Sequence, residues 1–373
     1  MAGRSGRRAP PYDGTVAKTP ENALRKTLAR IAPGTELRTG LERILRGRTG
    51  GLIVLGFDRS VEAICSGGFD INTDFSAPKP RELAKMDGAI ICDRDATRIL
   101  KAGVQLVPDP SIGTTESGTR HRSAERTAKE TGVPVISVSQ SMSVITIYVG
   151  ETRYAIEGSQ SIMARANQAL QTLEHYSHRM EQVLGSLSSL EIEASVTVRD
   201  VALTLQRMEM VRRISSEIGW YVLELGVDGR LIALQLEELT AGTGPGPDVV
   251  LRDYLPDDTP ASGIDQGLER LAELTPAELI DLQRIAVSVG LVEPQGSLET
   301  DLHPHGYRLL ESIKSMPRAV ANRLVRQFDG LQSLMAANLE DLKAVEGIGE
   351  QRARTVRESL SRMAETSLLE RFM

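Results

Sequence analysis

Met86-Asp87-Gly88-Ala89-Ile90-Ile91-Cys92 leads a turn-forming Asp-Gly pair straight into an apolar run at 89–92. Asp-Gly favours a reversal of the chain because glycine accepts a left-handed backbone, and a short apolar run bounded by a turn reads as a strand buried on both faces. Working outward, comparable runs stand at 52–55, 61–65, 104–107, 133–138 and 144–149. Helical spacing lies between and before them, with Leu24, Leu28, Leu41 and Leu45 in a leading pair and Ala124 and Ala128 in a later one. The alternation predicts an α/β domain, a mixed central sheet flanked by helices.

Beyond about residue 159 the strands stop. Ile162, Ala166, Leu170, Leu173, Met180, Val183, Leu187 and Leu190 recur at three- and four-residue spacings, which predicts long helices to about 210 and a second helical stretch over 211–239. Glycine and proline alternate over 241–248, where no regular element persists. Thr275 with Pro276 and Glu278 reads as a helix start. From about 304 the chain repeats itself at an offset of 32 residues: Ile313, Ser315, Met316, Pro317, Ala321 and Leu324 answer to Val345, Gly347, Ile348, Gly349, Ala353 and Val356. The expected division is an α/β domain at 1–155, an all-α spacer at 156–300 and a tandem all-α module at 301–373.

Hydrophobic residues at 40% and charged residues at 25% are the balance of a globular protein, and 373 residues suit two or three domains. A net charge of −6 excludes bulk electrostatic coating of nucleic acid, although Arg4, Arg7, Arg8, Lys18, Arg25, Lys26 and Arg30 cluster early. An aromatic content of 3% is too low for base-stacking platforms, so a nucleic-acid contact should address the backbone. Cys65 and Cys92 sit in apolar runs and read as buried reduced thiols, and His121, His175, His178, His303 and His305 lack the spacing of a structural zinc site. No apolar run approaches the roughly 20 residues of a membrane span and the basic start lacks a secretory apolar segment, so a cytoplasmic location is expected.

Two segments carry chemistry. Ser117-Gly118-Thr119-Arg120-His121-Arg122-Ser123 opens a helical pattern in which unpaired backbone N–H groups, hydroxyls and guanidinium groups can surround a polyphosphate. By spacing alone it is equally a solvated helix face behind an ordinary cap. Asp87 at the entrance to 89–92 can hold a divalent cation against a phosphate, or can be only a turn residue. No G-x-x-x-x-G-K-[ST] sequence is present, which disfavours a P-loop ATPase.

The order Met86-Asp87-Gly88-Ala89-Ile90, Leu106-Val107-Pro108-Asp109-Pro110 and Gly118-Thr119-Arg120-His121-Arg122-Ser123-Ala124-Glu125-Arg126 resembles the diadenylate cyclase domain. The resemblance implies metal-assisted transfer, with Mg2+ or Mn2+, in which two ATP become cyclic di-AMP and two pyrophosphates. It implies Asp87 as catalytic and metal-binding residue, and Gly88, Leu106, Thr119, Arg120, His121, Arg122 and Ser123 as the ATP site. His121, between two arginines, is expected to contact phosphate rather than act as a base. A two-fold product demands two facing sites, hence a homo-oligomer; the family implies an octamer. Where related cyclases often carry an acidic residue, this chain has Gln140 in Ser139-Gln140-Ser141-Met142, which cannot serve as an anionic ligand.

Val345-Glu346-Gly347-Ile348-Gly349, followed by 350–361, resembles the hairpin and second helix of a helix-hairpin-helix unit. Its glycines let the backbone meet a DNA phosphate while Arg352 and Arg354 add charge, so Gly347, Ile348, Gly349, Arg352 and Arg354 are the expected DNA contacts, independent of base sequence. Pro317 in the first copy lacks an N–H, leaving Lys314 and Arg318 in a supporting role. The family resemblance implies branched DNA, inhibition of synthesis and nucleoid association on DNA. A non-catalytic scaffold that senses nucleotide and binds DNA is the alternative; a repair nuclease or glycosylase would need a further acidic or nucleophilic constellation near the hairpins.

Overall fold

The computed structural model describes residues 20–370 apart from 243, 257, 314 and 315, so Arg4, Arg7, Arg8, Lys18, Lys314 and Ser315 lie outside the described residues. Two compact units emerge, one of residues up to 167 with 219–233 and one of 168–218 with the residues from 234 onward.

The first unit begins with helices α1 (Pro20–Ile31) and α2 (Glu36–Arg46), then β1 (Gly51–Leu55), α3 (Arg59–Ala63), β2 (Cys65–Ser66) and β3 (Phe69–Asp74). It continues with α4 (Pro78–Leu83), β4 (Ala89–Cys92), β5 (Arg98–Leu106), α5 (Thr119–Thr131), β6 (Val135–Ser139), β7 (Val144–Val149) and β8 (Thr152–Ile156). The sheet order is β2-β5-β4-β1-β6-β7-β8, with β3 paired to β5. Strands β1 and β4 run parallel and the other pairs antiparallel, so the sheet is mixed, as the sequence predicts.

Every residue of β1, β4 and β6 is buried, which is why these strands appear as unbroken apolar runs. Ile53 and Leu55 face a layer with Leu28, Leu41 and Ile44 from α1 and α2, while Leu52 and Val54 face Ala124 and Ala128 of α5. The two-residue period of the strand thus supplies both faces of a three-layer domain. Residues 61–65 correct the sequence reading: Asp58 accepts from the N–H groups of Ser60 and Val61 and starts α3, which takes the first part of that run. Cys92 is buried and its thiol is pushed up to about 12 by that burial; Cys65 is half-buried, and both are free.

The second unit contains most of the helices α6 (Ser159–Glu193) and α7 (Val198–Leu225), followed by α8 (Arg230–Thr240), α9 (Pro247–Tyr254), α10 (Ala261–Glu273) and α11 (Leu282–Ser288). The sequence places a helical boundary near 210, whereas the chain breaks at 194–197: Ala194 takes a left-handed backbone (φ 54) and Thr197 is fastened to Asp200, which opens α7. Thr275 and Glu278 exchange the expected capping bonds, but they hold only a short 3-10 turn, and Asp281 caps α11.

The tandem repeat is α12 (Tyr307–Ser312) and α13 (Arg318–Gln327), then, after α14 (Gly330–Ala336), α15 (Leu339–Lys343) and α16 (Glu350–Glu370). Ile313, Ala321 and Leu324 share one buried cluster with their counterparts Val345, Ala353 and Val356. Asp253 of α9 fastens this pair to the spacer: its carboxylate accepts from the N–H groups of Gly306, Tyr307 and Arg308 at 2.6, 2.8 and 3.0 Å, capping α12 from a distant element. Burial and the neighbouring Glu191 carboxylate push Asp253 up to about 6, while the three N–H donors pull the other way by favouring its charged form. Arg308, also buried, donates to Glu191 near the end of α6 and to Ser188, and Tyr254 donates to the same Glu191 carboxylate.

Candidate functional site

Strand register assembles one end of the sheet. The pairs Ile53↔Ile90, Gly51↔Val138, Ser139↔Val144 and Ala89↔Val104 bring the starts of β1, β4 and β7 together with the ends of β5 and β6. Asp87 and Gly88 lead into β4 there, Leu106 ends β5, and the loop with Gln140 joins β6 to β7. Arg120 of α5 belongs to the same end: a Cβ on Gly50, just before β1, would stand 2.5 Å from its guanidinium. Residues far apart in sequence therefore meet on one rim.

Gly88 has φ +117, and a Cβ there would lie 2.6 Å from the Gly103 carbonyl carbon, so the Asp-Gly turn is pressed onto the backbone of β5. Gly88→Ala should destabilise this domain by about 2 kcal/mol or more, measured by denaturant unfolding; a neutral change would show that the turn is not so pressed. Asp87 is exposed at the tip of this turn. Leu106 has its side chain in the core, which leaves only its backbone edge for a ligand.

Helix α5 starts at Gly118, with φ −80, ψ 136 and no side-chain cap, so its first N–H groups are free of the ordinary Ser/Thr cap that the sequence also allowed. Thr119, Arg122 and Ser123 share one face by their i, i+3, i+4 spacing; Thr119 and Arg122 are exposed and Ser123 half-buried. Hydroxyls, a guanidinium and free N–H donors at a positive helix end can together receive an anion, as a cradle. The connection into it is fastened by α5 itself, through Glu125 to Thr114 and Thr115, Arg126 to Ile112 and Lys129 to Gly113.

His121 turns inward instead. It is 6% exposed, with Nδ1 2.9 Å from the Tyr148 hydroxyl; that hydroxyl is 2.9 Å from Glu116, which also receives Arg153. Burial lowers the pKa of His121, against the pull of Glu116. Burial raises Glu116, but the bonds from Arg153 and Tyr148 outweigh it and hold the carboxyl below its usual range. Tyr148, Glu116 and Arg153 escaped the sequence reading because nothing in their spacing links them.

Gln140, Ser141 and Met142 are exposed, in a loop closed by the Met142 N–H on Ser139 Oγ at 3.3 Å. Among the described residues no cluster of three His, Cys, Asp or Glu exists that can hold a metal. A lone carboxylate such as Asp87 fits a cation of the Mg2+ kind, which takes one or two carboxylates and completes its shell with water and substrate phosphate.

At the other end of the chain Gly347 has φ +83, and a Cβ there would stand 2.5 Å from the Arg323 guanidinium. Gly349 precedes α16, accepts the Ala353 N–H, and faces open space where its Cβ would be. Ile348, expected as a DNA contact, has its side chain buried in the repeat core and its N–H bonded to the Val345 carbonyl, so it anchors the hairpin. Arg352 donates to the Gly347 carbonyl at 2.6 Å and Arg354 pairs with Glu350, both remaining exposed. Arg318 is bridged to Glu311 and Asp248, whose carboxylates offset its positive charge in the first hairpin.

Three family models match in sequence order: the DisA bacterial checkpoint controller nucleotide-binding region at 38–153, the DisA bacterial checkpoint controller linker region at 156–298, and the helix-hairpin-helix motif at 308–369. Two proteins named DNA integrity scanning protein DisA, from Kineococcus radiotolerans and Acidothermus cellulolyticus, are 57% and 58% identical, each over 95% of this chain and over 99% and 96% of their own lengths. Another of that name from Streptomyces coelicolor is 51% identical over 100% of both chains. A nucleotide-binding region, a linker and a helix-hairpin-helix module, in that order and at this identity, mean that the chain belongs to the DisA family.

Proposed function

We propose that this protein is a diadenylate cyclase that condenses two ATP into cyclic di-AMP and two pyrophosphates, and that its C-terminal hairpins bind DNA through phosphates. The observation that carries the first part is the uncapped start of α5 on the rim that also receives Asp87. Phosphoryl transfer needs positioning and charge neutralisation, which N–H donors, Thr119, Arg120, Arg122 and Ser123 supply. The 3′-oxygen of one ATP bonds to the α-phosphorus of the other, the bond to pyrophosphate breaks, and the hydroxyl proton passes by way of Asp87 to solvent. A second such transfer closes the ring. A divalent ion, Mg2+ or Mn2+, would neutralise phosphate charge beside Asp87 when bound.

Two nucleotides must face each other, so two copies present their rims together in a homo-oligomer, an octamer by family resemblance. Phe69, Val107 and Met142 are large exposed apolar side chains, and strand register assigns all three to this rim, which favours burial against a second copy. Among the described residues no helix is long and apolar enough to cross a membrane, in keeping with a cytoplasmic protein that joins the nucleoid on DNA. Incubation with ATP and Mg2+ or Mn2+, then chromatography beside authentic cyclic di-AMP, tests the reading: a co-migrating product is expected. ATP bound but returned unchanged would favour the nucleotide-sensing scaffold.

For DNA, preferably branched, the second hairpin is the principal clamp. Gly349→Glu puts a carboxylate where a phosphate would approach, in open space, and should weaken DNA binding at least about tenfold. Arg318→Glu in the first hairpin should weaken it less than about threefold. Fluorescence anisotropy with a branched duplex reads both; equal losses would contradict the assignment.

A further inference from the structure

We propose that His121 is a positioning residue: its Nδ1–H, received by Tyr148 and held through it by Glu116 and Arg153, fixes the first turn of α5 and with it the anion cradle. The inference rests on reading that turn as the phosphate site.

Donor bookkeeping sets the direction of every bond. Arg153 can only donate, and Glu116, held ionised by that partner, can only accept. The single hydroxyl proton of Tyr148 therefore goes to Glu116, 2.9 Å away. Tyr148 must then accept from His121 Nδ1, also at 2.9 Å, so the imidazole proton resides on Nδ1. Burial favours the neutral ring, and Nε2 consequently carries a lone pair. That nitrogen is buried and has no hydrogen-bond partner among the described residues. A phosphate oxygen needs a donor, and a buried lone pair repels it. His121 thus differs in kind from Arg120 and Arg122 on either side.

The four groups come from the loop before α5, the third residue of α5, β7 and β8. Because Gly118 supplies no side-chain cap, the first turn lacks the usual local fastening. The lateral bond from His121 to the sheet replaces it and leaves the N–H groups free for a ligand.

Amide substitutions separate the two nitrogens. In His121→Asn the introduced amide nitrogen stands near the Nδ1 position and can still donate to Tyr148, whereas in His121→Gln it reaches the Nε2 position and cannot. In the full-length protein, His121→Asn should keep kcat/KM for ATP within about fivefold of the parent, while His121→Gln and Tyr148→Phe should each lose at least about tenfold, chiefly in KM. The double variant His121→Gln/Tyr148→Phe should be no worse than either single one, because both cut the same bond. Equilibrium ATP affinity in Mg2+ is measured alongside, so the inference is read even where no product forms. Far-UV circular dichroism checks folding, and if Tyr148→Phe does not fold, the Asn-versus-Gln contrast decides alone. Retention by Gln with collapse of Asn would overturn the proposal in favour of a phosphate contact through Nε2. So would a folded Tyr148→Phe that binds ATP as the parent does. Failure of the parent to bind ATP at all would overturn the cradle itself.

Discussion

Asp87→Asn should lower the rate of product formation from ATP by at least about a hundredfold while fold, assembly and DNA affinity stay as in the parent. The expectation follows from where the carboxylate is. Asp87 sits exposed at the tip of a turn whose shape is set by Gly88, and its side chain forms no hydrogen bond or ion pair among the described residues. An isosteric amide therefore removes no structural contact. It removes only the negative charge that can hold a cation against phosphate and take the proton of the attacking hydroxyl. Steady-state rates at saturating ATP, with anisotropy on DNA and the oligomer mass as controls, read the effect. Turnover near that of the parent would remove Asp87 from the chemistry.

Glu191→Ala should cost the helical unit about 3–5 kcal/mol, the loss typical when one member of a buried ion pair is deleted. Arg308 is 4% exposed and Glu191 fully buried, so the abandoned guanidinium would stay in the interior with neither water nor a partner carboxylate. Tyr254 would lose its acceptor as well. Replacing both members, as in Glu191→Leu/Arg308→Leu, should recover part of the loss, since it leaves no buried charge uncompensated. Denaturant unfolding followed at 222 nm measures both variants; a loss for Glu191→Ala below about 1 kcal/mol would place the pair in the class of surface ion pairs.

What the sequence made legible follows from burial. Strands β1, β4, β6 and β7 lie in the middle of the sheet and appear as apolar runs, whereas β3 (FDINTD) and β8 (TRYAI) lie at its edges. Their outward residues meet solvent and their runs are broken by charge, so apolar content does not reveal them. Only the end of β5 was visible, because Arg98 and Lys101 interrupt its first part. The tandem repeat was legible because each copy must bury the same positions, and the 32-residue offset carries α12 onto α15 and α13 onto α16.

The site was legible where chemistry is local. Asp87-Gly88 and 118–123 are contiguous motifs, each readable within a few residues. Contacts between residues distant in sequence are not. Tyr148 reaches His121 across 27 positions and Arg308 reaches Glu191 across 117, and a single polar residue on a strand or helix carries no mark of such a partner. Ile348 shows the same limit: a residue between two hairpin glycines can face a ligand or plug the repeat, and here it is buried in the repeat core. Burial decides between those roles, and sequence spacing alone is silent on it.

Cyclisation of two nucleotides into one product fixes a stoichiometry. Its most direct test counts ATP consumed, pyrophosphate released and dinucleotide formed in one sample of the full-length protein with Mg2+ or Mn2+, with the product identified by mass. One pyrophosphate per ATP and one cyclic di-AMP per two ATP are expected. Pyrophosphate without a cyclic dinucleotide, or stable ATP on a folded and assembled protein, would contradict it.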